Sequence, residues 1–282
     1  MTTIRRKYHR RSPLAKKKRK ALLFKIGAVA FIIIAFFAGA VYISGFEKFN
    51  ISNISVKGNQ SITEKSIREF VEKKISGKKI FLFPKSNILL YPRSAVGAAL
   101  LEEYKGIKEV NIEVEDLESI TVNIEERKPF ALWCGENYKV IVEDEDKCYF
   151  LDESGFIFTE APHFSGNVFF RYFGWDSDKV LGKNPVGMKF ISTEKFQKIN
   201  FFLSSMRDIE ITPISLSMID DTDYEMLLET GGKILFGQNQ NLSFVFDNIQ
   251  SVFDSEEFNE YNLSVLDYAD FRFGNKVYFK FK

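Results

Sequence analysis

The chain has 282 residues, 45% of them hydrophobic and 27% charged, with thirty phenylalanines, two cysteines and two histidines. Its formal net charge of +1 conceals an asymmetry: eleven of the 39 basic residues lie at or before Lys25 and all 38 acids lie after it, so residues 26 to 282 hold 28 bases against 38 acids, a net of −10. An acidic body of this kind excludes a broad basic surface for nucleic acid, and its length suits two modest domains.

Residues 26 to 43 form an uncharged apolar run behind a tail with ten Lys or Arg and no acid. At about 1.5 Å per residue, eighteen helical residues cover roughly 27 Å, close to the hydrocarbon thickness of a bilayer. A transmembrane helix is therefore expected over 22 to 46, with a basic cytoplasmic tail over 1 to 21 and Lys16 to Lys20 against anionic lipid. Ala38-Gly39-Ala40 also fits the cleavage pattern of a signal peptide. The long basic region and an apolar segment beyond the usual 7 to 15 residues favour retention as an anchor, with the remainder outside the cytoplasm.

Past the span, Ile51, Ile54 and Val56 predict a short strand that stops at the turn Lys57-Gly58-Asn59. Ser61-Ile62-Thr63-Glu64 has the spacing of a capping box, and Ile67, Phe70, Val71 and Ile75 follow at helical intervals, with Gly77 placed to end the helix. A second helix is predicted from Pro92 to Tyr104. Two strands complete the segment, one through Ile107, Val110, Ile112 and Val114, the other through Ile120, Val122 and Ile124. The predicted order over 48 to 126 is β-α-α-β-β.

Lys128-Pro129 then blocks helix and marks a boundary, so 127 to 282 is expected to be a larger mixed β domain with flanking helices. Strands are predicted at Phe130 to Cys134, Lys139 to Val142, Tyr149 to Leu151, Phe156 to Thr159, Ile214 to Ile219, Glu225 to Glu229 and Lys233 to Phe236. Helices are predicted at Thr193 to Met206, through Phe196, Ile199, Phe202, Leu203 and Met206, and at Leu242 to Phe253. The closing strand has Val277, Phe279 and Phe281 on one face and Tyr278, Lys280 and Lys282 on the other. Cys134 and Cys148 are fourteen positions apart across strand, turn and strand. A disulfide and two buried thiols both fit that spacing.

Four segments carry a family resemblance: Ile54-Ser55-Val56-Lys57-Gly58-Asn59, then Ile124-Glu125-Glu126-Arg127-Lys128-Pro129-Phe130-Ala131, then Phe150-Leu151-Asp152-Glu153-Ser154-Gly155-Phe156-Ile157-Phe158, and finally Leu266 to Lys282 with Asp270-Phe271-Arg272-Phe273. In order and spacing the chain resembles the FtsQ/DivIB family of bacterial cell-division proteins. Phe271 stands where that family commonly has an aliphatic residue. The resemblance implies an α+β chain with a single transmembrane helix, a POTRA domain (β-α-α-β-β) and a β domain, in the cell (inner) membrane at the division septum. It further implies that a C-terminal edge strand receives an FtsB/DivIC-like protein complexed with an FtsL-like one, indirectly influencing the septal synthase FtsW with FtsI.

No catalytic constellation is legible. His9 lies in the tail and His163 beside Pro162, and there is no nucleophile elbow, phosphate loop or paired Cys-x-x-Cys. Glu143 to Asp146 and Asp220, Asp221 and Asp223 lack the spacing of a calcium loop and read as solvated turns. The expectation is a non-enzymatic scaffold with no cofactor, metal, nucleic acid or small-molecule substrate. A membrane-anchored cell-wall enzyme is the alternative; an outer-membrane assembly factor would need a long barrel-forming sequence. The predicted partner-binding residues are Asp270, Phe271, Arg272, Phe273, Lys276, Tyr278 and Lys280, with docking on the edge of the closing strand.

Overall fold

A computed structural model describes residues 13–79, 83–135, 147–174, 184–219, 222–259 and 263–282. The strand expected at 139–142 and the acidic turn at 143–146 lie outside them. The first helix, α1 (Pro13–Ser44), begins at a proline, whose missing N–H costs nothing in a first turn. It takes in the basic residues Lys17 to Lys20, earlier than the expected start at residue 22. Its segment Lys17–Ser44 is long and apolar enough to cross a membrane.

Contacts divide the chain into two compact units, 1–101 with 109–124, and 102–108 with 125–282. The first contains β1 (Asn53–Lys57), α2 (Glu64–Ile75), the short pair β2 (Lys78–Lys79) and β3 (Phe83–Pro84), and α3 (Arg93–Glu103); β4 (Ile107–Val114) and β5 (Ser119–Glu126) complete its sheet. The sheet order is β1-β5-β4, with β1 parallel to β5. The alternation read from the sequence buries Ile54 and Val56 of β1 and Ile120, Val122 and Ile124 of β5. Ile67, Val71 and Ile75 of α2 and Val96 and Leu100 of α3 are also buried.

Two expectations change in this unit: the short antiparallel pair β2–β3 stands between α2 and α3, where the predicted β-α-α-β-β order has no strand, and the cap of α2 moves. The cap of α2 is Thr63, whose Oγ1 accepts from the Ser66 amide at 3.2 Å, two residues beyond the cap expected at Ser61. Glu64 is already the first helical residue and pairs with Arg68 one turn on. The segment between is held as a turn by Asn59 Nδ2, which donates to the Ile62 carbonyl at 3.1 Å, so the helix begins later than the spacing suggests. Gly58 is required where it stands: its φ is 86° and an added Cβ would lie 2.1 Å from the Ile124 carbonyl oxygen.

The second unit is built on a nine-stranded sheet. Its strands are β6 (Ala131–Trp133), β7 (Tyr149–Leu151), β8 (Ile157–Glu160), β9 (Arg171–Phe173), β10 (Pro213–Met218), β11 (Asp223–Leu228), β12 (Lys233–Gly237), β13 (Leu266–Phe273) and β14 (Lys276–Phe281). Helix α4 (Thr193–Asp208) precedes β10, while α5 (Leu242–Phe253) and the short α6 (Glu256–Asn259) precede β13. The order is β14-β13-β12-β11-β10-β9-β6-β7-β8. Parallel pairs β9 with β10 and β12 with β13 enclose α4 and α5 as crossovers. These crossovers step the same way along the sheet between strands of the same direction, so the right-handed rule puts both helices on one face. Their buried residues accordingly share one core.

Strand register spells out the two faces. Trp133, Tyr172, Leu216, Met226, Ile234, Ala269 and Phe279 are successive cross-strand partners. The first six are buried and the seventh packs against the core from the last strand. The adjacent rows point the other way. One runs Phe173, Ser217, Glu225, Leu235, Asp270, Tyr278, the other Arg171, Ser215, Leu227, Lys233, Tyr268, Lys280. A one-residue slip would exchange these rows and expose the core, which is why the pattern sets the register.

Helix α4 buries Phe196, Ile199, Phe202, Leu203 and Met206, the five positions expected, each worth about 1.5–3 kcal/mol on removal from water. Ser192 caps it and Asn241 caps α5, each side chain accepting from an amide of the first turn. Cys134 and Cys148 are joined by a disulfide beside a smaller cluster of Leu132, Phe150, Phe164, Phe169 and Phe173.

Candidate functional site

The site expected from the sequence maps onto the β13–β14 hairpin. Gly274, with φ 66°, occupies the first of two turn positions between the paired residues Phe273 and Lys276. That conformation suits a type II′ turn, whose twist matches the flanking strands. The hairpin ends the sheet: among the described residues β14 pairs only with β13. Phe258 of α6 backs its core face, with ring centroids 5.9 Å from Phe279 and 5.5 Å from Phe281, so the last strand is anchored by side chains on one face.

Backbone direction follows from one hydrogen bond. The Lys282 amide donates to the Val265 carbonyl at 2.8 Å, toward β13. Alternation along the strand then turns the main-chain groups of Lys280, Tyr278 and Lys276 inward, and those of Val277 and Phe279 toward the outer edge. The register shifts that occur in this pair fall between Leu266 and Tyr268 and between Asp270 and Phe273, on β13.

The seven predicted residues separate into groups. Asp270 is buried and receives Arg272 through Nε at 2.8 Å and Nη2 at 2.5 Å, while Arg272 Nη1 reaches Asp223 Oδ2 at 2.6 Å. Hydrogen bonds to Asp270 and then Asp223 push the Arg272 pKa further up, so its charge is permanent. The guanidinium carbon lies 5.7 Å from the Phe273 ring, and Phe273 meets Tyr278 edge to face with centroids 5.5 Å apart. Phe273 and Tyr278 are 56% and 54% exposed. Lys276 is exposed, and Lys280 Nζ is 3.0 Å from Asp267 Oδ2.

Phe271 does not belong with them. It is 1% exposed and part of the helix-covered core, because successive strand residues face opposite sides and Arg272 takes the open one. The structure also adds residues absent from the sequence-based set. Asp223 orients Arg272 from β11, 49 positions away, and Asp267 holds Lys280 across the hairpin. No local pattern announces either contact. Alternation from Val277 to Phe281 was the available signal for Phe279, but not for Phe258 behind it.

The site can offer main-chain hydrogen bonds, an exposed aromatic pair and lysines, the equipment of strand addition. A groove of about 890 Å³ between α4 and α5 is lined by Phe202, Tyr224, Leu242 and Phe246, and its described lining contains one carboxylate, Asp247, and no histidine. Among the described residues no cluster of three His, Cys, Asp or Glu is placed to hold a metal ion. No protein-family model matches the sequence, and a search of curated proteins finds no match.

Proposed function

We propose that this chain is a non-enzymatic, membrane-anchored scaffold of the FtsQ/DivIB type, which gathers an FtsB/DivIC-like protein and its FtsL-like companion at the division septum. The observation that carries the reading is the outer edge of β14, where the main-chain groups of Val277 and Phe279 face away from the sheet beside the Phe273–Tyr278 pair. Exposed edges recruit extended segments through the ladder hydrogen bonds a sheet leaves unmade. Support for the family comes from the four sequence segments and from the first unit, where two helices and a β1-β5-β4 sheet follow the expected order apart from the short pair β2–β3 between α2 and α3, read here as a POTRA domain. In this reading α1 crosses the inner membrane with its basic end in the cytoplasm, and both units lie outside. Binding the pair would in turn influence FtsW and FtsI.

Tyr278→Ala in the full-length protein is the direct test, read as capture of the cognate FtsB and FtsL pair in detergent solution. The Tyr278 side chain faces away from the core, so the thermal transition is expected to stay in place. Loss of a central interface aromatic costs about 2 kcal/mol or more, roughly thirty-fold in affinity. Unchanged capture by the folded variant removes Tyr278 from the interface.

A further inference from the structure

We infer that the strand accepted at the β14 edge alternates apolar with acidic residues, and that the lysines of β14 select it over a second copy of this chain. The inference rests on the edge reading above and specifies its occupant. On the core face, Val277, Phe279 and Phe281 are only half-buried, although Phe258 packs behind the last two. The cross-strand row from Trp133 to Phe279 therefore stops with apolar surface still open at its rim. A further strand extends that row only if its residues on this face are apolar.

The opposite face has a different demand. Lys276, Tyr278, Lys280 and Lys282 share it, and Lys276 and Lys282 make no ion pair among the described residues. Asp267 is the acid paired with Lys280, so the rim is cationic in excess. Side chains directly opposite in neighbouring strands have Cβ atoms about 4.5–5.5 Å apart, where unlike charges attract and like charges repel. Glutamate or aspartate on this face of the incoming strand answers Lys276 and Lys280.

A second copy is disfavoured by the same geometry. Antiparallel self-pairing centred on Tyr278 would set Lys276 of one strand against Lys280 of the other, twice. Lysines on edges commonly serve to prevent such pairing. Here they both exclude the homotypic strand and favour an acidic one, attraction and repulsion working together in specificity.

The test uses the full-length protein in detergent micelles and three labelled peptides of equal length: alternating apolar and Glu, alternating apolar and Lys, and the composition of the first with its apolar residues in one block. Fluorescence anisotropy is expected to show the alternating Glu peptide binding roughly tenfold tighter than either other peptide. In a Lys276→Glu/Lys280→Glu variant the preference should reverse toward the Lys peptide. A variant that keeps the Glu preference, a block peptide that binds equally well, or wild-type protein that self-associates through β14 overturns the inference. So does a Glu peptide that fails to bind protein still able to capture the cognate pair. Val277→Pro separates the two levels, since it removes an outward N–H while sparing the β13 ladder. If the folded proline variant captures the pair as well as wild type, the edge reading itself fails; if capture is lost and charge reversal has no effect, only the alternation inference fails.

Discussion

Replacing Asp152 with alanine should destabilise the second unit by about 3 kcal/mol, because it breaks a mostly buried pair from one side only. Arg127 Nη1 contacts Asp152 Oδ2, with side-chain exposures of 16% and 4%. The other carboxylate oxygen accepts from the Ser154 amide at 2.8 Å, the Ser154 hydroxyl at 2.7 Å and the Phe156 amide at 3.0 Å. Arg127 also lies over the Phe156 ring, 4.0 Å from its centroid. A fully buried pair broken in this way costs about 3–5 kcal/mol, and the residual exposure of Arg127 argues for the lower end. For a domain of this size that is a fall of roughly 6–12 °C in Tm. Both tryptophans, Trp133 and Trp175, lie in residues 125–282, so tryptophan fluorescence follows this unit selectively. The pH dependence supplies a second readout. Burial pushes the Asp152 carboxyl up, but hydrogen bonds from Ser154, Phe156 and Arg127 outweigh it and leave the pKa below its ordinary value. The unfolded chain thus takes up this proton at a higher pH than the folded one. The contribution is fully present above the unfolded value of about 3.9 and is lost as pH falls through the folded value. Asp152→Asn should lack that acid-side loss. A melting temperature for Asp152→Ala within about 2 °C of wild type, equivalent to roughly 0.5–1 kcal/mol, would refute the reasoning.

Two further predictions concern the first unit. Gly58→Ala should cost more than about 2 kcal/mol, since it adds a Cβ 2.1 Å from the Ile124 carbonyl oxygen at a positive φ; hydrogen exchange at the amides of β1 and β5 is the check, and unchanged protection would contradict it. Thr63→Ala should remove about 1 kcal/mol through loss of the α2 cap while Ser61→Ala costs less, and chemical denaturation followed by far-UV circular dichroism distinguishes the two. Equal losses would return the cap to the position suggested by the sequence spacing.

The pair Arg127 and Asp152 shows how far local reading reaches. Both residues stand in segments the sequence singles out, yet their contact across 25 positions is invisible in either segment. Features that depend on a few consecutive residues were legible: α5 falls at Leu242–Phe253 as expected, α4 runs two residues beyond its predicted end at Met206, and β7 is Tyr149–Leu151. Helical spacing, alternation and turn residues are set by short-range sterics and by which face must leave water, so they are written along the chain. Not every element was legible: no strand was expected at Arg171–Phe173, yet β9 links β6 to β10 through parallel pairs on both sides. The cap moved from Ser61 to Thr63 because Asn59 and Ile62 hold a turn ahead of α2, so the helix starts later than the spacing suggests. The disulfide required Cys134 and Cys148 to be neighbours across β6 and β7, a matter of pairing that their spacing left open. Asp223 beside Arg272, Phe271 turned inward, Phe258 behind the last strand and the outermost position of β14 all arise from contacts between distant segments. Those contacts depend on the order in which nine strands assemble, and periodicity within one strand carries no information about which strand will lie beside it.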